Sequence, residues 1–254
     1  MEIHNSVAII TGAASGIGYR TAVNLIKSGA KVAACDINES GLKALESEVN
    51  SDSNHFFYQA FDITNESLIK KFINHAFEKF GKCNVLINNA GILRDGNLVQ
   101  IDDDSTYYAL PTAQWRTVIE TNLTAPMLIT RETVLKWLSL SVRPALIINI
   151  SSLAAKGNAG QSAYAASKAG LNALTMCWAK EFSKFGIRVV GLAPGLIDTP
   201  MSASLDPTDH NKILQSSHIG RAGYPEEVWQ LIQTLIQCEF MASQIYPIDG
   251  GNCL

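Results

Sequence analysis

"TGAASGIG", residues 11–18, is the stretch on which the fold turns. The apolar run "VAIIT" (7–11) leads into it and a helical pattern (about 16–28) leads out. Gly12, Gly16 and Gly18 therefore sit on a strand-to-helix turn. Glycine permits the tight turn, lets backbone amides approach a pyrophosphate, and lets the helix lie close to the strand. The helix N-terminus then meets the phosphate charge with its own N–H groups. A glycine-rich turn that binds nothing would need the same residues, but the flanking strand and helix favour a dinucleotide.

Outward from this turn the chain alternates. Strand-like runs fall at 7–11, 31–36, 55–60, 84–89, 145–151, 187–193 and 244–248, with helical patterns at about 16–28, 39–49, 65–80, 112–138, 162–184 and 225–238. Runs apolar on both faces belong to parallel strands covered by helices on both sides. Right-handed βα units in series predict an α/β fold: a doubly wound, mostly parallel seven-stranded sheet of the Rossmann type, one domain over 1–254. Two stretches break the rhythm. "GNLVQIDDDSTYYALPTAQW" (96–115) predicts a β-hairpin insertion at about 96–112, with "DDDS" at its tip. Residues 200–223 are polar and punctuated by proline and glycine, which predicts an irregular substrate lid at about 200–218.

Composition narrows the function. The 254 residues carry a formal charge of −3, which gives no reason to expect a nucleic-acid partner. Apolar runs such as "ALIINI" (145–150) are too short to span a membrane. "MEIHNSVAIITG" has neither a basic start nor a long apolar stretch, so no targeting segment is expected and the protein is placed in the cytoplasm. Five cysteines (35, 83, 177, 238, 253) are scattered without a CxxC or Cys/His cluster, which predicts reduced thiols and no metal site.

Asp36 ends the second strand, where a carboxylate accepts both ribose hydroxyls of an adenosine and repels a 2′-phosphate. No lysine or arginine lies in "GAAS" to attract that phosphate, so NAD is favoured over NADP. A cap on the following helix is the structural alternative. "YAASK" (164–168) sets Tyr164 and Lys168 one helical turn apart, on one face.

With "NNAG" (88–91), Asn122 in "ETNL", "NISS" (149–152) and "PGLIDTP" (194–200), these motifs resemble, in order and over about residues 7–251, the short-chain dehydrogenase/reductase family. The resemblance implies a dinucleotide-dependent hydride transfer between a secondary alcohol and a ketone. It implies that Tyr164 is the general acid/base, Lys168 its activator, Ser152 the carbonyl-orienting hydroxyl and Asn122 the anchor of a proton relay. A buried packing amide is the structural alternative for Asn122. The gap between "NISS" and Tyr164 is one residue shorter than the family pattern, which leaves Ser151 as the alternative hydroxyl. The resemblance also implies cofactor contacts from Gly12, Ser15, Gly16, Ile17 and Gly18, and from Asp36, Ile37, Asp62 and Ile63 around the adenosine. Asn89, Ala90 and Gly91 would pass the riboses, joined by Tyr164 and Lys168, while Pro194, Ile197 and Thr199 would reach the carboxamide.

The chemistry is affordable on general grounds. Bringing a tyrosine pKa from about 10 to neutrality takes roughly 4 kcal/mol. A cation about 4 Å away at an effective dielectric of about 20 supplies roughly that. Within the family, "NNAGILRDG" and "IDGG" are most similar to 3-oxoacyl-thioester reductases and 3-hydroxyacyl dehydrogenases, with Arg94 and Asp95 in that flavour or simply a loop salt bridge. Asp36 departs from the carrier-protein reductases, which usually prefer NADP. A dehydrogenase of polyols, steroids or other small alcohols is the alternative enzyme, and a non-catalytic dinucleotide sensor the alternative from another class. Helix 164–182 is apolar nearly all round, which predicts burial by a second subunit in a homodimer or homotetramer.

Overall fold

The structure, a computed structural model, describes residues 1–50 and 54–252, apart from the side chain of residue 209; Cys253 lies outside them. The strands are β1 (Val7–Thr11), β2 (Lys31–Asp36), β3 (Phe56–Ala60), β4 (Val85–Asn88), β5 (Val99–Ile101), β6 (Tyr107–Ala109), β7 (Ala145–Ile150), β8 (Ile187–Pro194) and β9 (Ile245–Ile248). The helices are α1 (Gly16–Lys27), α2 (Glu39–Val49), α3 (Glu66–Phe80), α4 (Thr112–Ile119), α5 (Ala125–Ser139), α6 (Ser162–Phe182), α7 (Pro200–Ala203), α8 (Pro207–Ser216) and α9 (Pro225–Gln237).

Seven strands form one parallel sheet in the order β3-β2-β1-β4-β7-β8-β9. Along β1 the side chains alternate between two cores. Ala8 and Ile10 pack with Leu25 of α1, Leu45 of α2 and Ile232 of α9. Val7 and Ile9 face Phe72 of α3, Ile129 and Trp137 of α5, and Trp178 of α6. This two-sided burial explains the unbroken apolar runs, each fully buried isoleucine or leucine contributing about 1.5–3 kcal/mol. The chain runs outward from β1 through β2 to β3, then crosses back to β4 on the other side. That reversal opens a crevice at the carboxyl ends of β1 and β4. β5 and β6 pair antiparallel apart from the main sheet. Among the described residues, no helix is long and apolar enough to cross a membrane.

The helix starts follow side-chain chemistry. Asn38 accepts from Gly41 N at the head of α2, and Asn65 accepts from Ser67 N and Leu68 N at the head of α3. Two segments depart from the sequence expectation. The helix expected over 112–138 is interrupted by a π-turn at Glu120–Thr124. Pro126 lies four residues after Asn122 and has no N–H to give its carbonyl, so the α pattern cannot close there. Instead Ala125 N reaches back five residues to the Glu120 carbonyl. The segment after residue 200, expected to be irregular, carries α7 and α8. Thr199 and Ser202 form a reciprocal capping box ahead of Pro200, and the Asp206 side chain caps α8 ahead of Pro207. Proline at a helix start is compatible with the helix because that N–H has no helical partner anyway.

A buried polar chain runs through the sheet close to its carboxyl end. Asn88 of β4 donates to Thr130 of α5 (3.0 Å) and to Asn149 of β7 (2.8 Å). Asn149 donates in turn to Thr175 of α6 (2.8 Å), whose hydroxyl donates to the Leu171 carbonyl (2.7 Å). Two strands and two helices are thereby fixed in mutual register beneath the crevice.

Candidate active site

The crevice holds a cavity of about 320 Å³. One end is built by the glycine turn, where Gly12, Ser15, Gly16 and Ile17 line the wall. Gly12 and Gly16 adopt left-handed φ values of 67° and 55°. A Cβ on Gly12 would stand 2.7 Å from the Ala90 Cα. Gly18 lies behind the wall rather than in it: a Cβ there would stand 2.2 Å from the Gly12 carbonyl, so this glycine lets α1 pack. Ser15 gives no side-chain cap to α1, which leaves the first-turn N–H groups for an anion. Asp36 also lines the cavity, its Oδ2 accepting from Ala14 N (3.0 Å) and its Oδ1 from Asn38 N (2.9 Å). These groups fit a dinucleotide: amides for the pyrophosphate and a fixed carboxylate for a ribose.

β1 and β4 are laced across the crevice floor. Thr11 Oγ1 accepts from Asn89 N (3.1 Å) and Ala90 N (3.0 Å), while Asn89 Nδ2 donates to the carbonyls of Thr11 and Gly12. Thr11 has a positioning role that the sequence reading missed, since its place as the last residue of a strand gave no hint of a cross-strand partner.

The other end holds Tyr164 and Lys168, both in the cavity wall on α6. Lys168 is 3% exposed, and its Nζ donates to the Ile150 carbonyl at 2.8 Å and lies 5.7 Å from the Tyr164 ring centre. Ser152 lines the wall beside Tyr164, and its Oγ accepts from Ala154 N (3.1 Å). Ser151 reaches the wall too, but its hydroxyl donates to the Lys168 carbonyl at 3.3 Å. Of the two serines, the structure brings Ser152 against the phenol. Asn122 is fully buried behind the wall. Its amide donates to the Ile92 carbonyl and the Ser167 hydroxyl, and its Oδ1 accepts from Ile92 N.

Burial shapes the ionisation of both groups on α6. It pushes the Lys168 amine down to about 8. It raises Tyr164 above 10.0; the Ser152 hydrogen bond pulls the other way, and the negative charge of Asp95 adds to the rise. Among the protein groups, withdrawing a phenolate from water outweighs the hydroxyl that steadies it, so the lowering expected for catalysis falls to Lys168 and the charge of a bound oxidised nicotinamide together. The pair can still exchange a proton with an oxygen placed beside Tyr164 and Ser152.

Pro194, Ile197 and Thr199 line the cavity, as do Asn89 and Gly91. Ala90, Ile37, Asp62 and Ile63 do not border it. Ile37 is exposed, and Asp62 accepts from the Thr64 amide and hydroxyl in its own turn. Asn158, Gln161 and Asn252 also line the wall and were missed, while Met201, Leu205 and Ile213 reach it from the 200–218 segment expected over the site. Only Gln161 carried a signal, its position nearly one helical turn ahead of Tyr164. Among the described residues, no three His, Cys, Asp or Glu side chains gather as a metal site, and Cys35, Cys83, Cys177 and Cys238 are free thiols.

The family model described as short chain dehydrogenase matches residues 6–210. The chain is 37% identical to the 3-oxoacyl-[acyl-carrier-protein] reductase FabG of Thermotoga maritima, covering 99% of each chain. It is 31% identical to the (2S)-[(R)-hydroxy(phenyl)methyl]succinyl-CoA dehydrogenase subunit BbsD of Thauera aromatica, over 100% of this chain and 99% of that one. A crystal structure of a short chain dehydrogenase from Bacillus anthracis superposes with a TM-score of 0.85 at 29% identity, covering 99% of this chain and 97% of that chain.

The depressed Lys168 amine has a consequence for stability. Between about pH 8 and its ordinary value of 10.5 the unfolded chain binds a proton that the folded chain does not, so stability rises with pH across that window. Below pH 8 the full burden, about 3 kcal/mol, is present. Relative to Lys168→Met, the wild-type protein without added cofactor should gain about 3 kcal/mol in unfolding free energy between pH 7.5 and 10.5. Parallel denaturant-unfolding curves for the two proteins across that range would contradict the assignment.

Proposed function

Because the chain belongs to the short-chain dehydrogenase family and is therefore an oxidoreductase using a nicotinamide dinucleotide, we propose that it interconverts 3-oxoacyl and 3-hydroxyacyl thioesters with NAD(H). The observation that carries this reading is the convergence of Tyr164, Ser152 and Lys168 on one end of a cavity whose other end presents Asp36. The likeness to a 3-oxoacyl reductase over the whole chain supports the substrate class.

The bound nicotinamide supplies or accepts the hydride. Ser152 and Tyr164 hold the substrate oxygen with their hydroxyls. During reduction a C–H bond forms at the carbonyl carbon and the C=O π pair moves to oxygen, which takes the proton from Tyr164 Oη; oxidation runs the same path backward. Lys168, with an Nζ donor beyond its bond to Ile150, steadies the phenolate left behind and reaches a ribose hydroxyl. Asn122 holds the loop after β4 at Ile92, next to Gly91 in the cavity wall. Asp36, pinned by two backbone amides, favours NAD(H): a 2′-phosphate would bring a second anion against it.

A kinetic series with acetoacetyl-CoA tests both halves of the proposal. Tyr164→Phe should retain NADH binding and lose at least about 100-fold in kcat. Wild type should prefer NADH over NADPH by at least about tenfold in kcat/KM, and Asp36→Ala should narrow that ratio. Wild-type turnover of simple alcohols but not of acetoacetyl-CoA would refute the thioester, and a preference for NADPH would refute the role of Asp36.

Residues 200–218 serve as the lid. Met201, Leu205 and Ile213 border the cavity, and Asn252 tethers the far end of α8 through Ser216 Oγ (3.1 Å) and the Ile213 carbonyl (3.3 Å). Amide hydrogen exchange across 200–218 should slow on adding NADH and acetoacetyl-CoA; identical exchange with and without them would remove the lid.

The protein works as a homodimer or homotetramer, with α5 and α6 as the joined faces. Leu135, Leu138 and Leu140 are exposed at and after the end of α5, and Leu174 and Met176 are only partly buried on α6. Sedimentation should give a mass of two or four subunits, and a single-subunit mass at micromolar concentration would overturn this.

A further inference from the structure

The hairpin of β5 and β6 has two unlike faces. Its register pairs Val99 with Ala109 and Ile101 with Tyr107, so these four side chains share one face, while Gln100 and Tyr108 share the other. A Cβ at Gly96 would stand 3.0 Å from Leu110 Cδ1 and 3.7 Å from Gln100 Nε2, which sets the Gln100 face toward the loop after β4. Val99, Ile101 and Tyr107 are turned away, each more than half exposed. A two-stranded ribbon gains little stability in water unless such a face is packed against something. The root of the hairpin is nonetheless fixed. Gly96 N donates to the Gly160 carbonyl (2.7 Å), and Gln114 Nε2 of α4 donates to the carbonyls of Arg94 (3.3 Å) and Asp95 (3.2 Å). At the tip, the Asp102 carboxylate accepts from Asp104 N (3.1 Å) and Thr106 N (2.9 Å). The Asp103 and Asp104 side chains are exposed and outside every ion pair among the described residues.

A complementary surface lies on the same chain, at the far end of the rod formed by α4, the π-turn and α5. Leu135, Leu138 and Leu140 are exposed there. Ala145 pairs with Ile187, so the ends of α5 and α6 both lie at this edge of the sheet. They bring Lys136 and Lys180 from their last turns, with exposed Arg143 and Lys184 in the segments that follow. Against these four cations stands one exposed carboxylate, Glu181. A single copy cannot join its own two surfaces. From Thr112 to Ser139 the rod is about 42 Å long, whereas the hairpin reaches about 17 Å from Leu98 to its tip. A two-fold axis perpendicular to the rod sets two rods antiparallel. The hairpin end of each then meets the leucine end of the other, and one symmetry operation makes the contact twice.

We propose that the β5–β6 hairpin is an arm that clasps a second copy of this chain: its Val99, Ile101 and Tyr107 face covers the leucine end of the partner's rod, and Asp103 and Asp104 meet the partner's basic cluster. The inference rests on the oligomer proposed above and adds to its α5 and α6 faces a surface from outside them. Shape and charge both select another copy as the occupant, since the apolar and charged halves of the contact are present on one chain at opposite ends of one rod.

Two charge reversals test it. Asp103→Lys with Asp104→Lys, and separately Arg143→Glu with Lys184→Glu, should each raise the subunit dissociation constant at least about tenfold at low salt, read by sedimentation. Mixing the two variant proteins should return it to within about threefold of wild type, because in the mixed dimer both tips face ends of opposite charge. A second measurement needs no variant. In a mixture of unlabelled and 15N-labelled wild-type protein, a zero-length carbodiimide should join Asp103 or Asp104 of one copy to Lys136, Lys180 or Lys184 of the other, read by mass spectrometry. A dimer indifferent to both reversals, or one giving no such link between copies, would overturn the arm and leave the α5 and α6 interface standing. A single-subunit mass for wild type would instead remove that interface and the arm together.

Discussion

An amine withheld from water is the constraint to which the rest of the site answers. Lys168 is buried, and one of its protons is committed to the Ile150 carbonyl at the end of β7. Burial disfavours its charge, so a lysine persists there at a cost to stability that a methionine would not incur. What the fold gains is a cation beside a phenol on the same helical face. Space for it is kept by Gly91: a Cβ at that position would stand 3.3 Å from Asn122 Oδ1 and 3.5 Å from Lys168 Nζ. The end of β4, the turn after β7 and α6 are each shaped around this one ammonium group.

Beneath it, the Thr130–Asn88–Asn149–Thr175 chain is a polar seam in an otherwise apolar sheet. Its amide and hydroxyl donors are matched, although Asn88 Oδ1 is buried without a partner among the described residues, and these donor bonds favour one strand register over others. The consequence is rigidity where it is needed. The strand ends that carry Asn89 and Ile150 are held from below, while the segment from Pro200 to Ser217 is capped at its start by Thr199 and bonded near its end to Asn252 and the Gly250 carbonyl.

The sequence was most readable where local pattern and tertiary burial agree. The alternation of apolar runs with helical periods yields the parallel sheet, and the glycine turn together with Asp36 points to one end of the crevice before any coordinates. Tyr164 and Lys168 share a wall because one helical turn leaves them no alternative. The misses have a common cause, which is dependence on partners distant in sequence. Thr11 matters through Asn89 and Ala90, and Gln161 through Asp95, pairings that periodicity does not encode. Burial's upward push on the Tyr164 pKa was not legible either, because desolvation depends on the whole enclosure. The helices after residue 200 were obscured by a composition typical of loops, although Thr199–Pro200 and Asp206–Pro207 are both sound helix starts.

The π-turn at Glu120–Thr124 acts as a phase corrector. Holding five residues where an α-helix would bond across four inserts one residue into the winding, which amounts to about 100° of rotation about the axis. α4 and α5 are therefore out of phase with each other along what is nearly a single rod. On the α4 side, Gln114 faces the carbonyls of Arg94 and Asp95; on the α5 side, Thr130 faces Asn88. An unbroken α-helix that satisfied one of these contacts would turn the other away. The extra residue lets one rod face both the rim of the crevice and its floor.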